Sequence, residues 1–225
     1  MNEMTALSYE QVTEQIRKLG ILPMAGLLPE YPSLESLTLK EDWHSGTERD
    51  PWLWRVQFPG DGTAAYGKML KKKNLFIAAE LYPLVQCVLS SGRTAAGAYK
   101  DGLLSRNGYE VYKLVEAEEG IDTRELRARA GMKEKEQKKA FEDAVTELQS
   151  TGHIVISGVK VRLNGQGEQS GWNSTSFETA QHWMEEKGLA PFRKGLEQAR
   201  EELAAQLKRR LSAAARAFVG KAWKV

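Results

Sequence analysis

Apolar positions along the chain recur with helical spacing in some stretches and alternate in others, with turn residues between them. Val12, Ile16 and Leu19 share one face behind Ser8, which predicts a short helix that Gly20 ends. Pro23, Pro29 and Pro32 make the stretch from Ile21 to Ser36 extended or turning. The run from Trp52 to Phe58, WLWRVQF, is rich in aromatic and β-branched residues and stops at Pro59-Gly60-Asp61-Gly62, so it reads as a strand. Thr63 to Leu70 and Leu75 to Ile77 are expected to add two more strands, and Glu80 to Ser90 a helix after Pro83.

From Ser105 onward the pattern is sharper. Ser105 caps a helix to about Glu119, with Val111, Leu114 and Val115 inward and Gly120 as its stop. Asp122 and Glu125 have capping-box spacing and open a second helix, TRELRARA, which Gly131 closes. A third helix is expected from about Lys133 to Ser150, carrying Phe141, Ala144, Val145 and Leu148 at core spacing. HIVISGVKVRLN then alternates as two strands about Ser157-Gly158. Helices followed by a hairpin in this order predict a winged helix-turn-helix. The polar stretch NGQGEQSG reads as a loop, Trp172 and Phe177 return to the core, and Pro191 to Ala222 forms one long helix.

The fold class expected is therefore α+β: an N-terminal small sheet with helices, a C-terminal winged helix-turn-helix and a long terminal helix. The boundaries are an aromatic-rich α+β region over 1–100, the winged helix over 101–183 and an amphipathic helix over 184–225.

Composition narrows the classes. An apolar share of 41% with six Trp and six Phe excludes a disordered chain. Cys87 is the only cysteine, so there is no disulfide scaffold, and His44, His153 and His182 lack metal-ligand spacing. No metal or cofactor is expected. The polar N-terminus predicts neither a secretory signal nor a membrane span, which makes the cytoplasm the default location.

The net charge of +2 resolves into blocks of −5, +5, −3 and +5 over residues 1–65, 66–113, 114–152 and 153–225. Neutrality therefore does not argue against an anionic partner. Trp43, Trp52, Trp54 and Tyr66 gather aromatic area that is either the core of a small sheet or a base-stacking platform, with Lys68, Lys71, Lys72 and Lys73 nearby for phosphates. Lys133 and Lys138 on the third helix and Lys160 and Arg162 on the wing complete the candidate nucleic-acid contacts. Acidic residues on that helix, Glu134, Glu136, Glu142 and Asp143, make it a weak reader by itself. Gly62 to Lys68 matches the spacing of a phosphate-binding loop, but Met69 stands where such a loop needs Ser or Thr, and a simple turn is the better reading.

DPWLWRV, AYGKMLKKK, IDTRELRARAG and FEDAVTELQSTGHIVISG together resemble the winged-helix proteins related to the AlkZ-type DNA glycosylases, which unhook interstrand crosslinks. The resemblance covers most of residues 45–160. It implies tandem winged-helix modules, duplex DNA as partner and excision of alkylated bases. The Gln-x-Gln or Gln-x-Asp catalytic pattern of that family occurs nowhere in this chain, so the resemblance carries over the scaffold without the chemistry. Two readings stay open: a non-catalytic nucleic-acid-binding relative, and a winged helix serving as a protein-interaction or dimerisation module through the C-terminal helix. A third assigns base excision to a carboxylate such as Asp50.

Overall fold

Ser8 accepts a hydrogen bond from the Gln11 backbone while the Gln11 side chain accepts one from the Ser8 backbone, and this reciprocal cap starts α1 (Tyr9–Leu19). Gly20, at φ 77, turns the chain into β1 (Ile21–Pro23). These residues belong to a computed structural model that describes residues 7–161, 166 and 173–225. After α2 (Leu34–Leu37) comes α3 (Pro51–Gly60), then the strands β2 (Ala64–Leu70) and β3 (Lys73–Ala78) and the helix α4 (Tyr82–Leu89). The sheet is antiparallel with order β1-β3-β2.

A short link, α5 (Ala95–Lys100), leads to a second run of the same elements. These are α6 (Arg106–Ala117), β4 (Ile121–Asp122), α7 (Thr123–Arg129), α8 (Lys138–Ser150), β5 (Ile154–Lys160), β6 (Ser174–Thr179) and α9 (Ala180–Glu186). Its sheet has the order β4-β6-β5, so in both units the last strand lies in the centre and the first at an edge. Two helices, α10 (Leu196–Arg210) and α11 (Ala213–Trp223), close the chain. The mixed helices and antiparallel sheets are α+β, as the sequence predicts.

Four local expectations are corrected. WLWRVQF is the helix α3, because Asp50 accepts the Trp52 N–H as N-cap, Pro51 supplies a preset φ in the first turn, and Trp54 and Phe58 then fall on one buried face. Strand propensity in such a run reflects packing more than backbone preference, and here the cap and the core override it. No hairpin turns at Ser157-Gly158: β5 runs through both, with a register irregularity there, and its partner is β6. The third helix of the second unit begins at Lys138 after a 3-10 turn over Lys135–Gln137. The long terminal helix is two, broken where Leu211 adopts an extended backbone and Ser212 caps α11.

The two units interlock. In the first, Thr63 N–H donates to Phe58 C=O and Ala79 N–H to Thr63 C=O. In the second, His153 N–H donates to Leu148 C=O and Ala180 N–H to His153 C=O, the same pattern at matching places. The third helix of each unit packs on the second strand of the other, which lies at an edge of its sheet, α3 on β5 and α8 on β2. Reciprocal hydrogen bonds hold the helix ends: Lys187 Nζ donates to Gly60 C=O at 2.8 Å, and Gln86 Nε2 donates to Gly152 C=O at 3.3 Å. Tyr82 of α4 and Trp183 of α9, at matching positions, meet edge to face with centroids 5.4 Å apart. Both are buried, and Trp183 also donates to Pro59 C=O at 2.9 Å.

The C-terminal helices cover this junction. Ala199, Leu203 and Leu207 of α10 are buried against α4, and Trp223 of α11 donates to Met69 C=O at 3.0 Å. Arg210 reaches back to accept the role of a C-cap for α1, donating to Arg17 C=O at 2.6 Å and to Lys18 C=O at 3.1 Å.

Candidate nucleic-acid interface

β2 and β3 are joined by Lys71 and Lys72 alone, both left-handed, with φ of 47° and 59°. A two-residue hairpin turn of this shape normally takes Asn-Gly, because Cβ crowds the backbone carbonyl in a left-handed residue, at about 1 kcal/mol or more, which Gly escapes and Asn offsets by local hydrogen bonding. Lysine at both positions presents a cationic tip at a cost in local stability. The Lys71 ammonium rests over the Phe218 ring at 4.0 Å, which ties the tip to α11. Lys73, next in the chain, is exposed.

Lys72 opens onto a groove of about 650 Å³ between the tip, α8 and the start of α6. Lys139, Asp143, Glu147, Ser105 and Asn107 also line it. Its charge is mixed. Lys139 ion-pairs with Asp143, and that hydrogen bond, with a smaller pull from Lys72, holds the Asp143 carboxyl below its usual range. Glu147 is engaged as well: Ser105 N–H and Oγ both donate to it.

The other predicted lysines separate. Lys138 pairs with Glu142 at 3.7 Å on the exposed face of α8, while Lys133 is exposed in the preceding loop. Lys160 lies beside Glu118, 3.9 Å away, past the far end of α6 from Ser105. At about 1.5 Å per residue, the twelve residues of α6 put roughly 18 Å between that place and the groove. Lys68 contributes backbone at the junction: its N–H donates to Gln149 Oε1 and its C=O accepts from Ser150 Oγ. Arg162 lies outside the described residues. The lysines of the tip thus stand together with Lys139, and Lys160 stands apart.

The aromatic set divides in the same way. Trp54 is buried and donates to Glu48 C=O at 2.8 Å. Tyr66 is buried, stacks on Phe76 at 4.7 Å, and has its hydroxyl pushed up to about 12 by desolvation. Trp43 is half-buried, with its indole N–H on Thr38 Oγ1. These three build core. Trp52 alone is exposed, stacked at 3.9 Å against the Arg55 guanidinium and at 4.9 Å from the His44 ring. Desolvation lowers the Arg55 pKa, and its Nε has no hydrogen-bond partner among the described residues.

Sequence reasoning missed the Trp52–Arg55 stack because it requires a helix, where residues three apart are neighbours. The signal was Asp50-Pro51, an N-cap followed by an N1 proline. Asp50 is itself 2% exposed and accepts N–H bonds from His44, Gly46 and Trp52, so it is a structural cap with no room to act as a base. Gly62 to Lys68 is a turn entering β2, with no helix behind it to complete a phosphate cradle. Among the described residues no helix is long and apolar enough to cross a membrane, and no histidine, cysteine and carboxylate cluster is placed to hold a metal ion.

One helix–strand–helix–helix–hairpin unit used twice, each copy packed on the other, defines a duplicated α+β scaffold with lysines at the hairpin tip of its first unit. The chain belongs to the AlkZ-related family, whose family model matches residues 6–224. No curated protein and no solved structure matches it.

Proposed function

We propose that the chain is a duplex-DNA-binding protein of the DNA-repair sphere, built of tandem winged helices and related to glycosylases that act on alkylated bases. It binds without excising. Membership of the AlkZ-related family supports the repair theme. The order of elements in each unit supports the winged-helix reading, since three helices with a strand after the first and a closing hairpin form that motif. The observation that carries DNA binding is the Lys71-Lys72-Lys73 tip, where Lys71 and Lys72 occupy strained positions better suited to Asn-Gly.

The mode of binding differs from insertion of a recognition helix into a groove. α3 and α8 each spend one face on the other unit, and the free face of α8 carries its lysines already paired to carboxylates. Contact is therefore made through the tip and its flank, to phosphates, with little reading of bases. The absence of Gln-x-Gln and Gln-x-Asp from the chain and the use of Asp50 as a cap support binding over excision.

Fluorescence anisotropy with a labelled duplex tests this reading. Affinity should fall steeply with salt, and replacing Lys71, Lys72 and Lys73 together by Ala should flatten the log–log slope by about 2 to 3. No binding at low salt would overturn it. A second reading, a protein-interaction module, is favoured by the ion-paired face of α8; binding to a protein partner that survives the triple substitution while DNA binding is absent would establish it instead.

A further inference from the structure

Between α4 of the first unit and α6 and α9 of the second lies a cavity of about 280 Å³, closed on one side by the strap that links α9 to α10. It differs from the groove at the lysine tip in its charge. Arg93 and Arg193 line it and no carboxylate does. Arg93 is already braced by Asp101 at 2.6 Å, whereas Arg193 on the strap is exposed and forms no ion pair among the described residues. Two further acids bond to lining side chains: Glu116 accepts the Tyr112 hydroxyl at 3.1 Å and Glu185 accepts Gln181 Nε2 at 2.8 Å.

The cavity also holds an unexplained polar group. His153 lines it, is 5% exposed, and its Nε2 has no hydrogen-bond partner among the described residues. A buried imidazole nitrogen left unpaired costs on the order of 1–3 kcal/mol unless water or a ligand meets it. Desolvation pushes the His153 pKa down to about 4, so the ring faces the cavity neutral. Tyr112 stands edge-on to that ring at 6.1 Å, and Phe192 and Met184 supply further apolar wall. Gln86 and Gln181 bring amides whose Nε2 groups donate to Gly152 C=O and Glu185 Oε1, which leaves their amide oxygens for a ligand.

Two guanidiniums match an oxyanion in fork geometry, and an aromatic wall with a neutral ring nitrogen and an amide matches a planar heterocycle with a polar edge. We propose that this cavity is a binding site for a small planar organic phosphate of the nucleoside monophosphate class, with the phosphate on Arg193 and Arg93 and the base against Tyr112, Phe192 and His153. The assignment rests on the cavity alone and is independent of duplex binding at the lysine tip.

Isothermal titration of the full chain with adenosine and guanosine monophosphate, inorganic phosphate and adenosine tests it, together with the His153 imidazole signals in two-dimensional NMR. A monophosphate should bind saturably and shift those signals. Arg193→Ala, on an exposed strap, should weaken it about tenfold or more, a loss in line with one charge-assisted contact. The same variant should leave duplex anisotropy unchanged, which separates this site from the tip. Absence of saturable binding by either monophosphate at millimolar concentration would overturn the proposal. So would inorganic phosphate binding as tightly as the nucleotides, or shifts that leave His153 untouched.

Discussion

The two units share a backbone plan and differ in what they do with it. Both turn after the first helix on a left-handed glycine, Gly20 at φ 77 and Gly120 at φ 79, and both leave the third helix on another, Gly62 at φ 78 and Gly152 at φ 67. Both place the residue after that glycine in the same hydrogen-bond bracket, Thr63 in one and His153 in the other. Between those shared points the chemistry diverges. The first unit ends its hairpin in two lysines, while residues 161–173 lie between β5 and β6 in the second. The first unit's third helix is capped by Asp50 and carries the exposed Trp52 with Arg55; the second unit's has no side-chain cap and carries lysine–carboxylate pairs. A fold used twice keeps what makes the junction and varies what faces outward, and function is sought in the variation.

The interlock of the two units depends most on Trp183. Trp183→Ala removes a buried indole, its edge-to-face partner contact with Tyr82 and the bond to Pro59, and should cost about 4 kcal/mol in urea unfolding. The wild-type chain should unfold in one transition by all probes; two separated transitions would show that the units fold independently.

The matched pair Thr63 and His153 yields a smaller effect with a defined pH window. The folded chain keeps His153 neutral to about 4, whereas in the unfolded chain it takes up a proton near 6.5. Its depressed pKa therefore leaves stability intact above pH 6.5 and lowers it progressively as pH falls toward 4, by about 3 kcal/mol in all. His153→Thr, which copies the first unit, should abolish most of that slope between pH 6.5 and 4. A slope that persists in the variant would assign it to other groups.

The smallest change in stability is expected at the hairpin tip and should run against function. Replacing Lys71 and Lys72 by Asn and Gly relieves two strained residues but gives up the contact with Phe218, for a net gain of about 1 kcal/mol in thermal unfolding. Duplex affinity should fall in the same protein. A variant that is both less stable and equally able to bind would show that the lysines serve the fold.

Much of the second unit is legible along the chain because its signals are local. Ser105 caps α6, Asp122 caps α7, and Phe141, Ala144, Val145 and Leu148 form the buried stripe of α8 as their spacing requires. The first unit is harder to read. Trp52 to Phe58 has a strand-like composition, and only the Asp50-Pro51 start betrays a helix. With that element misassigned, the repeat of one unit in the other is hidden, and so is the stack of Arg55 on Trp52.

The lysine candidates show the same division between local and distant information. Lys71, Lys72 and Lys73 are neighbours in sequence and remain together in space, as any tight turn ensures. Lys160 belongs to the same list by charge alone, and the length of α6 separates it from them. Trp54 and Tyr66 are core because α3 folds back over the sheet, which no spacing rule reports.

By itself the amino-acid sequence determined the α+β class, the caps at Ser8, Ser105 and Asp122, and the run of lysines between two strands, since each depends on residues within a few positions of one another. Tertiary structure decided the reciprocal packing of the two units, the burial of Trp54 and Tyr66 with Trp43 half-buried and Trp52 exposed, and the pairing of the α8 lysines with their neighbours. It also decided the cavity that brings His153 beside Arg93 and Arg193 from distant elements. Those outcomes depend on which surfaces meet to remove apolar area from water, a choice made by the whole chain at once.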